Sequence, residues 1–115
     1  GLGRLPDPPP PPPGCAVDDG EARVVSMSLY GDKDRYIRGA LRNAELVPAV
    51  LPGWRLRVYA NASDLPPGIG DALQQAGAEV VDVAGVASLR DVPPMMWRFA
   101  VSEDEGVDRY VVRDA

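Results

Sequence analysis

Strand patterns alternate with helix patterns along most of the chain, and this alternation constrains the fold more than any other feature. Four segments have the period-2 alternation or the β-branched composition of strands: 23–29, 54–60, 78–83 and 109–113. Three segments with helix patterns lie between them: 33–47, 69–76 and 93–102. Strands joined by crossover helices form a parallel sheet with right-handed connections. The sequence therefore predicts an α/β fold, a Rossmann-like three-layer parallel sheet with the element order β-α-β-α-β-α-β.

The first helix pattern, residues 33–47, has clear start and stop signals. Asp32 is a suitable N-cap, and one face of the segment is apolar while arginines occupy the other. Pro48, Pro52 and Gly53 follow within a few residues. Because proline and glycine interrupt helices, we expect this helix to end before Pro48.

A chain that winds outward for three strands and then returns has the strand order 3-2-1-4. The carboxyl ends of strands 1 and 4 then flank the switch point, where open α/β sheets bind their ligands. Residues 28–32 and 113–115 are the candidates for that crevice. The outer edge of strand 4 has no following element to cover it. We therefore expect the 115 residues to be the first part of a larger α/β domain.

Residues 1–22 differ in composition from the rest of the chain. They contain a run of six prolines, 8–13, which favours a stiff polyproline II conformation and cannot join a helix or sheet interior. We predict a disordered proline-rich tail or stalk; a docking site for an SH3-like or WW-like domain is the alternative. A stem suggests the Golgi lumen or a membrane anchor, and a simple linker suits a cytoplasmic protein equally well.

Composition excludes several functions. The chain has no histidine and one cysteine, Cys15, which excludes a Ser-His-Asp triad, a Cys-His dyad, histidine-ligated zinc and an intrachain disulfide. The tail holds one of the 12 basic and four of the 17 acidic residues, so residues 23–115 carry 11 basic and 13 acidic residues. Without a basic stripe we expect no nucleic-acid partner, and without a long apolar run no membrane segment. Neither a Gly-x-Gly-x-x-Gly turn nor a Walker A loop is present.

Two segments near the end of the chain resemble the GT-A-fold nucleotide-diphospho-sugar transferases, closest to a poorly characterised glycosyltransferase-like group. They are residues 95–99 (Met-Met-Trp-Arg-Phe) and 108–115 (Asp-Arg-Tyr-Val-Val-Arg-Asp-Ala). Residues 35–40 and 54–59 are also similar, as is the Tyr30-Gly31 pair that follows the first strand. The resemblance covers roughly residues 23–115 and implies an incomplete GT-A fold.

The resemblance implies a role for Asp114 and for Arg98. Asp114 matches the first aspartate of the family's Asp-x-Asp motif, which holds Mn²⁺ or Mg²⁺ against the diphosphate of the donor. The middle residue would be Ala115, and the second aspartate is absent from the sequence. Arg98 matches a basic residue that approaches the sugar phosphate. The plainer alternatives are a solvated Asp114 and a surface ion pair of Arg98 with Glu103 or Asp104.

The same resemblance assigns nucleotide contacts to the end of the first strand. Ser28, Leu29, Tyr30 and Gly31 would cradle the base and ribose, with Tyr30 stacking on the base; a turn with a packed tyrosine is the alternative. Arg35 would reach a phosphate, or else is an exposed helix arginine. Trp97 and Phe99, beside Arg98, are expected in the core.

The resemblance implies that the chain is the N-terminal, donor-binding portion of a glycosyltransferase. Its partners would be a nucleotide-sugar donor and an unknown acceptor, and the fragment would be inactive alone. A non-catalytic Rossmann-like binding or interaction module is the alternative, and a structural fragment of an incomplete gene model is a third. The Asn61-Ala62-Ser63 sequon is a glycosylation site only if the protein enters a secretory pathway.

Overall fold

The computed structural model describes residues 20–31 and 33–114. Its strands and α-helices are β1 (Arg23–Leu29), α1 (Asp34–Val50), β2 (Trp54–Ala60), α2 (Ile69–Gln75), β3 (Glu79–Asp82) and β4 (Arg109–Val112). A ten-residue 3₁₀ helix, Pro94–Glu103, precedes β4 and is called the 94–103 helix below. Three short 3₁₀ turns complete the regular elements: Ala62–Asp64, Val83–Gly85 and Ala87–Leu89.

The four strands form one parallel sheet in the order β3-β2-β1-β4. The predicted α/β class and strand order are confirmed. β1 is central, and it pairs with β2 along its whole length, for example Met27 with Val58. On its other side it pairs with β4, where Val25 lies opposite Val111. The carboxyl ends of β1 and β4 are therefore neighbours, as a switch point requires.

Each face of the sheet buries its own apolar cluster. Met27, Leu56 and Val58 face α1 and α2, and all three are almost completely buried. Val24 and Tyr59 face the other way and pack with Trp97 and Val101 of the 94–103 helix. Successive strand residues alternate between faces, so this two-sided burial follows directly from the alternation seen in the sequence. Elements on both faces give the three layers.

α1 differs from its prediction at its end. It continues through Pro48 to Val50, so the expectation that proline ends it is wrong. A proline in the last turn removes only one helix hydrogen bond, and Val47, 5% exposed, still packs in the core. The N–H of Leu51 donates to the carbonyl of Val47 at 2.8 Å and closes the helix.

The start of α1 has no side-chain cap on Lys33, its N-cap residue. Asp34 occupies the first turn, where a negative charge is favourable, and forms an ion pair with Arg38 at 2.8 Å. Asp32, the N-cap predicted from the sequence, lies outside the described residues.

The third predicted helix exists, as a 3₁₀ helix. Its terminal hydrogen bonds span three residues, such as Met96 N–H to the carbonyl of Pro93 at 2.8 Å. β3 is shorter than expected, because the Asp82 carboxylate accepts from the N–H of Ala84 and starts a 3₁₀ turn at Val83. Both changes leave the strand order and the layers unaffected.

The proline-rich segment, including the whole of 8–13, lies outside the described residues. The described part begins at Gly20, and residues next to it already contact the sheet. The N–H of Ala22 donates to the Asp108 carboxylate at 2.6 Å, and Glu21 forms an ion pair with Arg109 at 2.9 Å. Within the described ranges, no helix is both long enough and apolar enough to cross a membrane.

Candidate functional site

A cavity of about 240 Å³ opens where β1 and β4 end, at the predicted switch point. It is lined by Ser28, Leu29, Tyr30, Tyr36, Arg98 and Asp114. Three elements meet there: the end of β1, the first turn of α1 and the 94–103 helix, with Asp114 following β4. The topology thus brings together residues that are 86 positions apart in the sequence, from Ser28 to Asp114.

Five of the seven residues singled out in the sequence line this cavity: Ser28, Leu29, Tyr30, Arg98 and Asp114. Gly31 and Arg35 are not among its lining residues. Tyr36 of α1, which the sequence did not single out as a site residue, also lines it. Its position in the sequence could have indicated this, because Tyr36 is an aromatic residue in the first helical turn after a strand that ends at the switch point.

Two serines of β1 hold the backbone of Arg98. Ser26 Oγ donates to the carbonyl of Arg98 at 2.7 Å, and Ser28 Oγ accepts from its N–H at 2.8 Å. Ser26 is fully buried and Ser28 is 5% exposed. Buried hydroxyls need partners, and these two satisfy both backbone groups of one residue. The pairing fixes the point from which the Arg98 side chain enters the cavity.

The Arg98 guanidinium forms an ion pair with Asp114 across the cavity. Arg98 Nη1 lies 2.8 Å from Asp114 Oδ1, and the side chains are 20% and 84% exposed, respectively. Among the described residues Arg98 forms its ion pair with Asp114 and not with Glu103 or Asp104, the alternative partners, and Asp104 binds a different arginine, Arg57. Asp114 therefore lies at the cavity beside Arg98, although most of its side chain is exposed to solvent.

The aromatic residues near Arg98 divide between core and surface. Trp97 is 7% exposed and its indole N–H donates to the carbonyl of Val92 at 3.1 Å, so its predicted core position is confirmed. Phe99 is 44% exposed, so its predicted core position is wrong; its ring lies 5.2 Å below the Arg98 guanidinium carbon. A helix that packs on the sheet through one face leaves its other face exposed.

Tyr30 lies at the mouth of the cavity with 43% of its surface exposed. Its ring meets that of Trp97 edge to face, with the centroids 6.2 Å apart. Gly31 follows with a φ of +76°, which L side chains rarely adopt, so a glycine suits this turn. The buried tryptophan packs against Tyr30 and leaves part of the Tyr30 ring accessible.

Arg35 acts on Tyr36. Its Nη2 donates to the Tyr36 hydroxyl at 3.0 Å, and its guanidinium carbon lies 4.8 Å from the centre of that ring. The hydrogen bond from Arg35, and next its positive charge, lower the pKa of the Tyr36 phenol. Arg35 therefore orients a residue of the cavity, and the predicted direct contact with a phosphate stays a prediction.

The described residues do not fit a divalent cation at this cavity. Asp114 is the only carboxylate among the lining residues, and one of its oxygens faces a guanidinium. Hard cations need several oxygen ligands. Across the described parts of the chain, no group of three or more metal-ligating side chains lies together. Mn²⁺ or Mg²⁺ at Asp114 stays a prediction of the family resemblance.

A second polar cluster surrounds Arg57 of β2, away from the switch point. Its guanidinium donates to Glu79 of β3 and to Asp104 after the 94–103 helix, both at 2.8 Å, and to the Tyr59 hydroxyl at 3.2 Å. Burial disfavours the charged form of Arg57, but hydrogen bonds to Tyr59, Glu79 and Asp104 outweigh it and raise its pKa. The bond from Arg57, and then one from the N–H of Gly106, lower the pKa of Asp104.

Comparison with known proteins gives no indication of function. No family model, no curated protein and no solved structure matches this chain. The resemblance to GT-A transferases accordingly remains a prediction, and the function is inferred from the residues that the fold assembles.

Proposed function

We propose that this chain is the N-terminal, donor-binding portion of a glycosyltransferase, and that the cavity binds the nucleoside diphosphate of the sugar donor. The observation that carries the proposal is Arg98: a guanidinium with a fixed backbone, inside a cavity at the switch point of a parallel sheet. Arginine presents several N–H donors in a plane that matches paired phosphate oxygens.

The remaining lining residues suit the nucleoside. Tyr30 and Tyr36 provide two aromatic rings within one cavity, and the exposed part of Tyr30 is available to a base. Aromatic rings stack on any base, so they supply affinity without choosing between nucleotides. Leu29, 1% exposed, forms an apolar wall beside them. Gly31 does not line the cavity, but it leaves open space at the turn after β1, where nothing lies within 4 Å of a Cβ position.

Isothermal titration calorimetry on residues 1–115 tests the proposal. UDP, GDP and inorganic pyrophosphate are titrated into the wild-type chain and the Arg98→Gln variant. We expect a nucleoside diphosphate to bind more tightly than pyrophosphate, and Arg98→Gln to weaken it about tenfold, because a charged hydrogen bond contributes roughly 1.5 kcal/mol.

Arg38→Gln is the matched control. Arg38 is 74% exposed on α1 and pairs only with Asp34 among the described residues, so its loss removes the same charge away from the cavity. Its affinity should stay within about twofold of wild type, since exposed ion pairs contribute little. Absence of heat with every nucleotide, or equal losses in both variants, would contradict a donor site at this cavity.

A further inference from the structure

The two residues of the Arg98–Asp114 ion pair differ in how firmly the structure holds them. Two serines of β1 hold the Arg98 backbone, and its side chain is only 20% exposed. Asp114 lies two residues beyond the end of β4, and its side chain is 84% exposed. Among the described residues, Arg98 is the only side-chain partner of Asp114. The carboxylate can therefore leave while the guanidinium stays.

A carboxylate and a phosphate accept the same donors of a guanidinium. At 2.8 Å from Nη1, Asp114 Oδ1 occupies one position that a phosphate oxygen would take on Arg98. A ligand anion also meets the negative charge of Asp114 as it enters the cavity. Both effects oppose anion binding as long as Asp114 stays beside Arg98.

We propose that Asp114 is the internal counter-ion of Arg98, and that an anionic ligand binds by displacing its carboxylate. This inference rests on the proposed function, which assigns a diphosphate to Arg98. The new element is that Asp114 restricts the access of the anion to that arginine. It also departs from the family resemblance, in which Asp114 assists the diphosphate by holding a metal ion.

The two roles of Asp114 predict different effects of one substitution. Removing a counter-ion strengthens anion binding even without a divalent cation, whereas removing a metal ligand leaves anion binding unchanged without the cation and weakens it in its presence. Asp114→Asn keeps the size of the side chain and deletes its charge. In buffer freed of divalent cations by a chelating resin, we expect Asp114→Asn to bind pyrophosphate and UDP about fivefold more tightly than wild type, the upper range for an exposed ion pair.

Asp64→Asn controls for the change in net charge. Asp64 is exposed in the 3₁₀ turn after β2, outside the residues that line the cavity. Its affinities should stay within about twofold of wild type, because an exposed charge that does not pair with Arg98 contributes little. Thermal denaturation of both variants verifies that each is folded at the titration temperature.

The outcomes separate this inference from the proposed function. Unchanged or weaker anion binding in Asp114→Asn overturns the counter-ion role, and the donor site still stands if Arg98→Gln loses affinity. Tighter pyrophosphate binding in Asp114→Asn, without any preference for UDP or GDP over pyrophosphate, supports the counter-ion role and refutes the nucleotide site. Absence of anion binding in wild type and variant refutes both.

Discussion

Arg57 and Arg98 both lie on the side of the sheet that the 94–103 helix covers, and both form ion pairs, yet their surroundings differ. Arg57 is 11% exposed and binds two carboxylates, those of Glu79 and Asp104. Arg98 is 20% exposed and binds one carboxylate, that of Asp114, which is itself largely in solvent. Arg57 connects β2 and β3 to the segment after the 94–103 helix, whereas Arg98 faces a cavity at the end of the sheet.

If Arg98 takes an anionic ligand as proposed, an ion pair alone does not distinguish such an arginine from a structural one. The number and the burial of the partners make the distinction. Displacing two partly buried carboxylates from Arg57 would leave both without their hydrogen bonds. Displacing Asp114 returns an exposed carboxylate to water at little cost. The following predictions test this contrast, beginning with the largest expected effect.

Arg57→Gln should lower the free energy of unfolding by about 2 kcal/mol, because it leaves Glu79 and Asp104 without their charged donor. Urea denaturation followed by circular dichroism measures the change. Arg55→Gln, an exposed arginine on the same strand, is the control and should change stability by less than about 0.5 kcal/mol. Equal stabilities of the two variants would show that the ion pairs of Arg57 do not stabilise the fold.

Arg98→Gln should change ligand affinity more than stability, the opposite of Arg57→Gln. Its free energy of unfolding should change by less than about 0.5 kcal/mol, since its ion pair is with an exposed partner. Its affinity for a nucleoside diphosphate should fall about tenfold, while that of folded Arg57→Gln stays within about twofold of wild type. Urea denaturation and calorimetry on the same two variants make the comparison. A large loss of stability in Arg98→Gln would remove the contrast.

Ser28→Ala should lower the free energy of unfolding by about 1 kcal/mol, because the N–H of Arg98 loses its acceptor. If this bond positions Arg98, the variant also weakens diphosphate binding, and it does so only when Arg98 is present. A double-mutant cycle with Arg98→Gln measures that coupling. Ser88→Ala, at an exposed serine in another part of the surface, is the control. Additive effects in the cycle would limit Ser28 to a purely structural role.

Acid should weaken the Arg57 cluster through Asp104. Arg57 lowers the pKa of this carboxyl below its ordinary value of 3.8, so its stabilising contribution is complete above that value and is lost as the pH falls through the lower, folded-state pKa. Urea denaturation between pH 6 and about pH 2.5 measures the decline. Asp104→Asn should have a lower free energy of unfolding at neutral pH and a shallower decline with acid. Identical pH profiles would contradict the role of Asp104.

The α/β class, the strand order and the place of the crevice could be predicted from local patterns. Alternation at period two marks both faces of β1 and β2, and right-handed crossovers leave few possible arrangements of four parallel strands. Five cavity residues follow from these rules together with the family resemblance. Pro48 shows where local rules fail, because packing of α1 on the sheet outweighs the signal of one proline.

The partners of each charged group could not be predicted in the same way. The ion pair that local spacing offers Arg98, the alternative to a phosphate contact, is with Glu103 or Asp104, both a few residues away, but its partner Asp114 reaches it through the pairing of β4 with β1. Arg57 meets Asp104, and Ser28 meets the backbone of Arg98, across 47 and 70 residues. Hydrophobic periodicity is a local property of the chain, so it can be recognised from the order of the residues alone. Ion pairs and buried hydrogen bonds depend on distances of a few ångströms between segments, and those distances exist only once the sheet has assembled.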